Sequence, residues 1–376
     1  MQIDDIETPA LILDASRMDA NIAGMRARMR QLGVAFRPHL KTSKCIEVAH
    51  RMVDGTSGPA TVSTLKEAEY FFSHGFTDIL YAVGISAGKL GHVADMRARG
   101  ADLKIVLDNV EAAQALAGFS RQQRLPLPTL IEIDCDGHRS GIEPEGDALI
   151  EIGRVLHACG SLAGVMTHAG SSYDCRSVDA IRALAEQERA RTVRAAQRLR
   201  EAGLPCTMVS VGSTPTASYA RHQGGVTEVR AGVFVFFDLV MAGIAVCGVD
   251  DIALSVLTTV IGHQRDRGWL ITDAGWMAMS RDRGTAKQPL DQGYGLVCDA
   301  AGTPVEGLLM SGANQEHGIV SHRSGEPART PMLPVGTRLR ILPNHACATG
   351  AQHDRYHVVR GADAHVDAVW SRFSGW

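Results

Sequence analysis

The stretch Phe36-Arg37-Pro38-His39-Leu40-Lys41 reads as a short strand with a lysine at its end. A lysine amine condenses with an aldehyde to an imine. It serves as nucleophile and base near neutral pH when burial or a neighbouring cation lowers its pKa. Three distant stretches offer partners for such a centre. Asp136-Gly137-His138-Arg139 supplies an arginine. Gly212-Ser213-Thr214-Pro215 supplies small residues whose backbone N–H groups and hydroxyls can meet an oxyanion. Arg230-Ala231-Gly232 adds a guanidinium and a further backbone donor. A fourth stretch, His345-Ala346-Cys347, pairs an imidazole with a thiol, which suits zinc or another borderline-soft divalent metal. If extended geometry continues from the run at 337–342, residues two apart project to one side. Two protein ligands leave coordination positions open, as catalysis requires. The ordinary alternative is a buried cysteine beside an unrelated histidine, and the pair alone favours it. Taken singly, Lys41 reads as a solvated lysine, Arg139 as a surface charge and His168 as a hydrogen-bonded core histidine. The glycine pattern matches neither the dinucleotide fingerprint nor the Walker loop.

These residues need elements to position them. Eight β-branched or apolar runs recur, at 35–39, 60–63, 79–83, 103–107, 129–134, 163–168, 208–211 and 229–237. Amphipathic segments separate most of them, the longest at 178–202. Alternating β and α with near-continuous apolar strands predicts a parallel sheet flanked by helices. Eight such units fit a closed (β/α)₈ barrel over 12–245, with a doubly wound open sheet as the alternative. The active site of such a barrel forms at the C-terminal ends of its strands. His39, Lys41, Arg139, His168, Ser213, Thr214 and Arg230 all fall there, and this agreement strengthens them as a set. Beyond residue 245 the helices stop. Runs at 255–262, 269–272, 293–298, 307–310, 337–342 and 356–359 predict an all-β domain over 246–376. The polar stretch 281–292 reads as a mobile loop.

Of the 376 residues, 45% are hydrophobic and 21% charged, a soluble profile. The net charge of -3 gives no reason to expect a nucleic-acid or anionic-membrane partner. No apolar run is long enough to span a bilayer. The acidic stretch at the start lacks the basic and apolar regions of a signal peptide, so a cytoplasmic location is expected. The eight cysteines are dispersed without a C-x-x-C pair, which argues against a zinc ribbon or a thioredoxin-type motif.

The ordered set Arg37-Pro-His-Leu-Lys-Thr-Ser-Lys44, Asp136-Gly-His-Arg-Ser-Gly141, Thr167-His-Ala-Gly170, Val229-Arg-Ala-Gly232, Gly312-Ala-Asn-Gln-Glu-His-Gly318 and Pro343-Asn-His-Ala-Cys-Ala-Thr349 resembles the fold-type III pyridoxal-phosphate enzymes. Most narrowly it resembles the group of D-serine dehydratases, D-threonine aldolases and D-threo-3-hydroxyaspartate dehydratases, the last above all. The likeness covers essentially the whole chain. It implies an alanine racemase-like barrel plus a β-domain with which residues 1–11 pack, a homodimer, and a small amino-acid substrate. It also implies roles. Lys41 carries pyridoxal 5'-phosphate through its amine. Arg139 meets the phenolic oxygen and His168 lines the ring. Ser213, Thr214 and Gly232 bind the phosphate, and Arg230 faces the pyridine nitrogen. His345 and Cys347 match ligands of a divalent metal such as Zn, Mn, Co or Mg. The aldolases carry His-x-Asp there, so His-x-Cys points to a dehydratase giving a 2-oxo acid and ammonia, with D-3-hydroxyaspartate yielding oxaloacetate. An aldolase giving glycine and an aldehyde is the alternative, and a non-enzymatic cofactor carrier a further one. His317 is a candidate on the metal side, and Arg281 and Arg283 are candidates for a substrate carboxylate.

Overall fold

The computed structural model describes residues 1–53, 57–361 and 365–376. The chain divides into two compact units. One comprises Gly24–Lys41, Val48–Gly232 and Gly375–Trp376; the other comprises Met1–Ala23, Thr42–Glu47 and Val233–Ser374.

After a first strand, β1 (Ala10–Asp14), which belongs to the second unit, eight parallel strands follow among the described residues. They are β2 (Ala35–Phe36), β3 (Ala60–Val62), β4 (Asp78–Gly84), β5 (Asp102–Leu107), β6 (Thr129–Ile133), β7 (Leu162–Thr167), β8 (Met208–Val211) and β9 (Glu228–Val229). Their order is β2-β9-β8-β7-β6-β5-β4-β3. The ring closes beyond the end of β2, where His39 bridges Thr61 in parallel and Leu40 N–H donates to the Thr61 carbonyl at 2.9 Å. The apolar runs are continuous because β6 is buried along its whole length, as strands covered on both faces are. Leu80, Val106, Leu130 and Met166, from four neighbouring strands, form one buried cluster. Side-chain caps start three of the connecting helices: Thr64 before Leu65–Ser73, Asn109 before Val110–Gln123 and Ser177 before Val178–Glu201. The apolar run at 229–237 is not one strand. Pairing ends after Val229, Val233–Val235 form a 3₁₀ turn, and Phe237 takes a positive φ of 50°.

The second unit is built on β10 (Leu254–Gln264), β11 (Trp269–Thr272), β12 (Gly295–Asp299), β13 (Pro304–Ala313), β14 (Gly318–His322), β15 (Arg338–Pro343), β16 (Arg355–Val359) and β17 (Ala368–Ser371). Six of them close an antiparallel ring, β10-β11-β14-β13-β12-β15, with β15 pairing back to β10. Strand β1 pairs antiparallel with β10 and parallel with β16, and β17 forms the edge. All five residues of β1 are buried; Leu11, Ile12 and Leu13 together contribute about 6 kcal/mol of apolar burial. The division at 245 drawn from periodicity therefore differs from the compact units. Strand pairing draws residues 1–23 to the β unit, and that unit takes up the chain from Val233. Among the described residues no helix is long and apolar enough to cross a membrane.

Candidate active site

The first cluster lies in the barrel unit, at the C-terminal ends of its strands. Lys41 is exposed just past the His39–Thr61 closure, and its N–H donates to His39 Nδ1 at 3.4 Å. His168 follows β7. Its Nδ1 lies 2.9 Å from the Gly212 carbonyl, which only accepts, so Nδ1 carries the proton and Nε2 is left with its lone pair. Burial pushes His168 down to about 3, helped by the positive charges of Arg139, Lys41 and Arg230. His39 is also held well below the usual range, by burial first and then by Lys41 and Arg230. Lys41, Arg139 and Arg230 thus concentrate positive charge about two neutral imidazoles.

Arg139 rides on a loop that leaves β6 and returns to it, with Ile142 N–H donating to the Glu132 carbonyl at 2.9 Å. Asp134 shapes the turn by accepting from the Asp136 and Gly137 N–H groups at 3.0 and 2.6 Å. The Arg139 guanidinium is half exposed and 4.0 Å from the buried carboxylate of Glu132, whose pKa is raised chiefly by burial. Arg230 is buried, and its guanidinium donates to Ser210 Oγ and to the Thr167 carbonyl. Ser210 in turn donates to Glu228 at 2.6 Å, and Glu228 pairs with Arg37 at 2.8 Å. Arg37 also pairs with Asp78. This buried chain of alternating charge fixes the cation from below.

Between β8 and Arg230 the backbone makes a bare turn. Gly212 has φ +139°, and a Cβ there would stand 2.0 Å from the Arg230 carbonyl oxygen. Ser213 caps the short helix Thr214–Tyr219, with its Oγ accepting from Thr216 N–H at 3.2 Å and lying 2.8 Å from Ser172 Oγ. Gly232 ends the segment Val48–Gly232 of the unit, one residue after the Ala231 carbonyl that accepts from His39 N–H. Behind the turn, Glu188 Oε1 accepts from both Ala169 N–H at 3.1 Å and Gly212 N–H at 3.0 Å. Sequence reading missed Glu188. Its signal was a carboxylate on the buried stripe of Ile181, Ala185, Thr192 and Ala195.

The second cluster lies in the β unit. His345 and Cys347 are in side-chain hydrogen-bond contact. The geometry differs from the extended continuation expected. Strand β15 stops at Pro343, and His345 caps a helical turn, Ala346–Gly350. The buried carboxylate of Asp238 causes this by accepting from Ala346 N–H at 3.0 Å while capping Leu239–Gly243 through Met241 N–H, also at 3.0 Å. His345 Nδ1 lies 2.6 Å from Asp282 Oδ2, and Cys347 Sγ lies 3.2 Å from Thr42 Oγ1. Burial opposes a positive charge on His345, yet Cys347 and Asp282 outweigh it and push the imidazole up to about 11. The spot therefore favours a cation. Among the described residues no group of three or more His, Cys, Asp or Glu side chains gathers there. The segment 281–292 is irregular but tied down. Buried Thr285 lies 3.1 Å from Asn344 Oδ1, and Gln288 donates to the Val240 carbonyl at 3.0 Å. Arg283 pairs with Asp291 at 2.7 Å and stacks on Tyr294, and Arg281 stacks on Trp276. His317 is exposed in the turn between β13 and β14.

This barrel of parallel strands with an antiparallel β unit defines the class. The sequence matches the family "Alanine racemase, N-terminal domain" over residues 13–240 and the family "Putative serine dehydratase domain" over 253–359. The chain belongs to the alanine racemase-like family and carries its serine dehydratase-type second domain. More particularly, it is 56% identical over 375 residues to a D-threo-3-hydroxyaspartate dehydratase of Delftia sp. (strain HT23), covering 99% of this chain and 98% of that one. A solved cysteine-to-alanine mutant of D-threo-3-hydroxyaspartate dehydratase, in the metal-free form, superposes with a TM-score of 0.96 at 54% identity, covering 100% of both chains. D-threonine aldolase from Filomicrobium marinum superposes with a TM-score of 0.81 at 26% identity, covering 98% of this chain and 95% of that one.

Proposed function

We propose that the protein is a pyridoxal-phosphate- and divalent-metal-dependent dehydratase. Its substrate is D-3-hydroxyaspartate or a related D-β-hydroxy amino acid, and its products are oxaloacetate, or the matching 2-oxo acid, and ammonia. The observation that carries this reading is that Lys41, Arg139, His168, Gly212 and Arg230 all follow the C-terminal ends of barrel strands, with His168 bonded to the Gly212 carbonyl and Arg230 to the Thr167 carbonyl. The 56% identity to the Delftia enzyme supports the choice of reaction.

The residues suit the cofactor. The bare turn at Gly212, which has no room for a side chain, together with Ser213, Thr214 and Gly232, would take its phosphate. Arg139 would meet the phenolic oxygen, His168 the ring, Arg230 the pyridine nitrogen and Lys41 the aldehyde carbon. Pyridoxal phosphate supplies a conjugated ring that takes up electrons from the breaking Cα–H bond. Once the substrate amine has replaced it at the aldehyde carbon, the Lys41 amine would take the proton from Cα. The Arg230 guanidinium, a donor with no proton to give up, would disfavour protonation of the pyridine nitrogen, and the weaker electron sink would make assistance at the β-hydroxyl valuable. His345 and Cys347 would hold the divalent metal that supplies Lewis acidity there, and a thiolate ligand favours Zn or Co over Mg or Mn. Loss of water and then hydrolysis of the C–N bond balance as hydroxyaspartate giving oxaloacetate and ammonia. For the β-carboxylate we assign Arg281 ahead of Arg283, whose charge Asp291 already matches, with His317 on the metal side. The reading includes a homodimer in the cytoplasm, which light scattering tests for the dimer.

The test is a product assay on purified protein, before and after chelation, with D-threo-3-hydroxyaspartate, D-serine and D-threonine. Metal-dependent oxaloacetate and ammonia are expected from hydroxyaspartate. Glycine with an aldehyde would move the protein to the aldolases. Full activity after verified metal removal would sink the metal assignment.

A further inference from the structure

We infer that Asp282 is the positioning residue of the metal centre: its carboxylate fixes the ring of His345 in the Nδ1–H tautomer and leaves Nε2 as the ligating atom. The inference rests on the metal reading proposed for His345 and Cys347 and adds a residue outside that pair.

The geometry is specific. Asp282 Oδ2 lies 2.6 Å from His345 Nδ1, the length of a charge-assisted hydrogen bond. A carboxylate only accepts, so Nδ1 keeps its proton, and a cation that binds displaces the proton of Nε2 and takes that atom's lone pair. A free imidazole divides between two tautomers and turns about its side-chain bonds. A bound cation must select one of those states, and the selection weakens binding. Asp282 makes the selection in advance, and it also raises the basicity of the remaining nitrogen.

The Asp282 carboxylate also accepts from Gly284 N–H, and its backbone is held independently of the bond to His345. Asp282 N–H donates to Ser280 Oγ at 3.2 Å, and the Asn344 side chain donates to the Asp282 carbonyl at 3.3 Å. Asn344 is buried and also donates to the Gly293 carbonyl at 2.7 Å. The residue next to His345 thus ties both chain segments together, while Asp238 holds Ala346 N–H on the other side. Truncating Asp282 at Cβ removes the bond from Gly284 N–H and leaves the others in place. Its loss should free the ring without unravelling the turn.

The experiment uses the cofactor-loaded protein and Co(II) as the probe. Affinity is read by competition with a chromophoric chelator. The thiolate-to-cobalt charge-transfer band and the nitrogen chemical shifts of His345 are read in parallel. Wild type, Asp282→Ala, Asp282→Asn, His345→Ala and Cys347→Ala are compared. We expect Asp282→Ala to bind Co(II) about 10–100-fold more weakly. Asp282→Asn should fall between it and wild type, because an amide oxygen still accepts from Nδ1–H without charge. The thiolate band should persist in both Asp282 variants, the cofactor absorbance should be unchanged, and the His345 shifts of Asp282→Ala should report mixed tautomers. Retention of wild-type affinity within twofold by both Asp282 variants would overturn the inference and leave the metal reading intact. Co(II) binding by wild type that survives both His345→Ala and Cys347→Ala would overturn the metal reading itself and this inference with it.

Discussion

Glu188 offers a test of how the barrel unit holds the turn at Gly212. The side chain is 1% exposed and takes two N–H donors, from Ala169 and Gly212. Burial raises its pKa from 4.5 to about 7, against the opposing effects of Thr216, the two N–H groups and Arg230. Below pH 4.5 the carboxyl is protonated in both folded and unfolded chains, and the folded state keeps its full advantage. Between 4.5 and about 7 the unfolded chain releases the proton while the folded chain retains it, so stability falls as pH rises. Above about 7 both are ionised and the loss is complete. At about 1.36 kcal/mol per pH unit the gap amounts to about 3 kcal/mol. Glu188→Gln keeps an oxygen for the two N–H groups and cannot ionise. Urea unfolding of wild type and variant in parallel from pH 4.5 to 8 cancels every other titrating group in the difference. The variant should gain about 3 kcal/mol relative to wild type across that range, most of it before pH 7. A difference that stays flat with pH, or one that moves the other way, would refute the reasoning from burial.

Two further perturbations follow from the same unit. Gly212→Ala combines a left-handed φ with a Cβ 2.0 Å from the Arg230 carbonyl. It should cost at least about 3 kcal/mol and abolish the absorbance of bound pyridoxal phosphate, measured by spectral titration; wild-type cofactor binding would contradict it. Glu228→Gln leaves Arg37 with Asp78 alone and removes the charge that Ser210 relays to Arg230. Denaturant titration should show a loss of about 3 kcal/mol. A loss below about 1 kcal/mol would mean that the buried pair is replaceable.

The barrel was legible because a strand buried on both faces writes its position as an unbroken apolar run, as Thr129–Ile133 does. The same signal overran at 229–237, where apolar residues continue through a 3₁₀ turn. In the β unit two strands escaped notice. Gly318–His322 follows a polar turn, and Ala368–Ser371 is a four-residue edge. The strand-end residues were legible as a set because a parallel barrel brings its loops to one rim. Asp238 and Asp282 were not, since each reaches the His345 turn from 108 and 63 residues away through one hydrogen bond. Nothing local marks a carboxylate for such a task. The same long-range bond from Asp238 explains why the His-x-Cys stretch is a helical turn, where its sequence reads equally well as extended chain.

The placement of β1 also constrains the order in which the molecule can be made. On a ribosome Ala10–Asp14 emerges before any of the barrel, yet both of its partner strands, Leu254–Gln264 and Arg355–Val359, emerge after all of it. During synthesis a buried, apolar strand with two unpaired edges must therefore wait while the entire barrel is translated. The nascent chain is exposed to mispairing for that whole interval, and the β unit becomes cooperative only in the last steps of translation. A circular permutation placing residues 1–14 after the natural last strand would shorten that wait and leave the helix Ala15–Leu32 uncut.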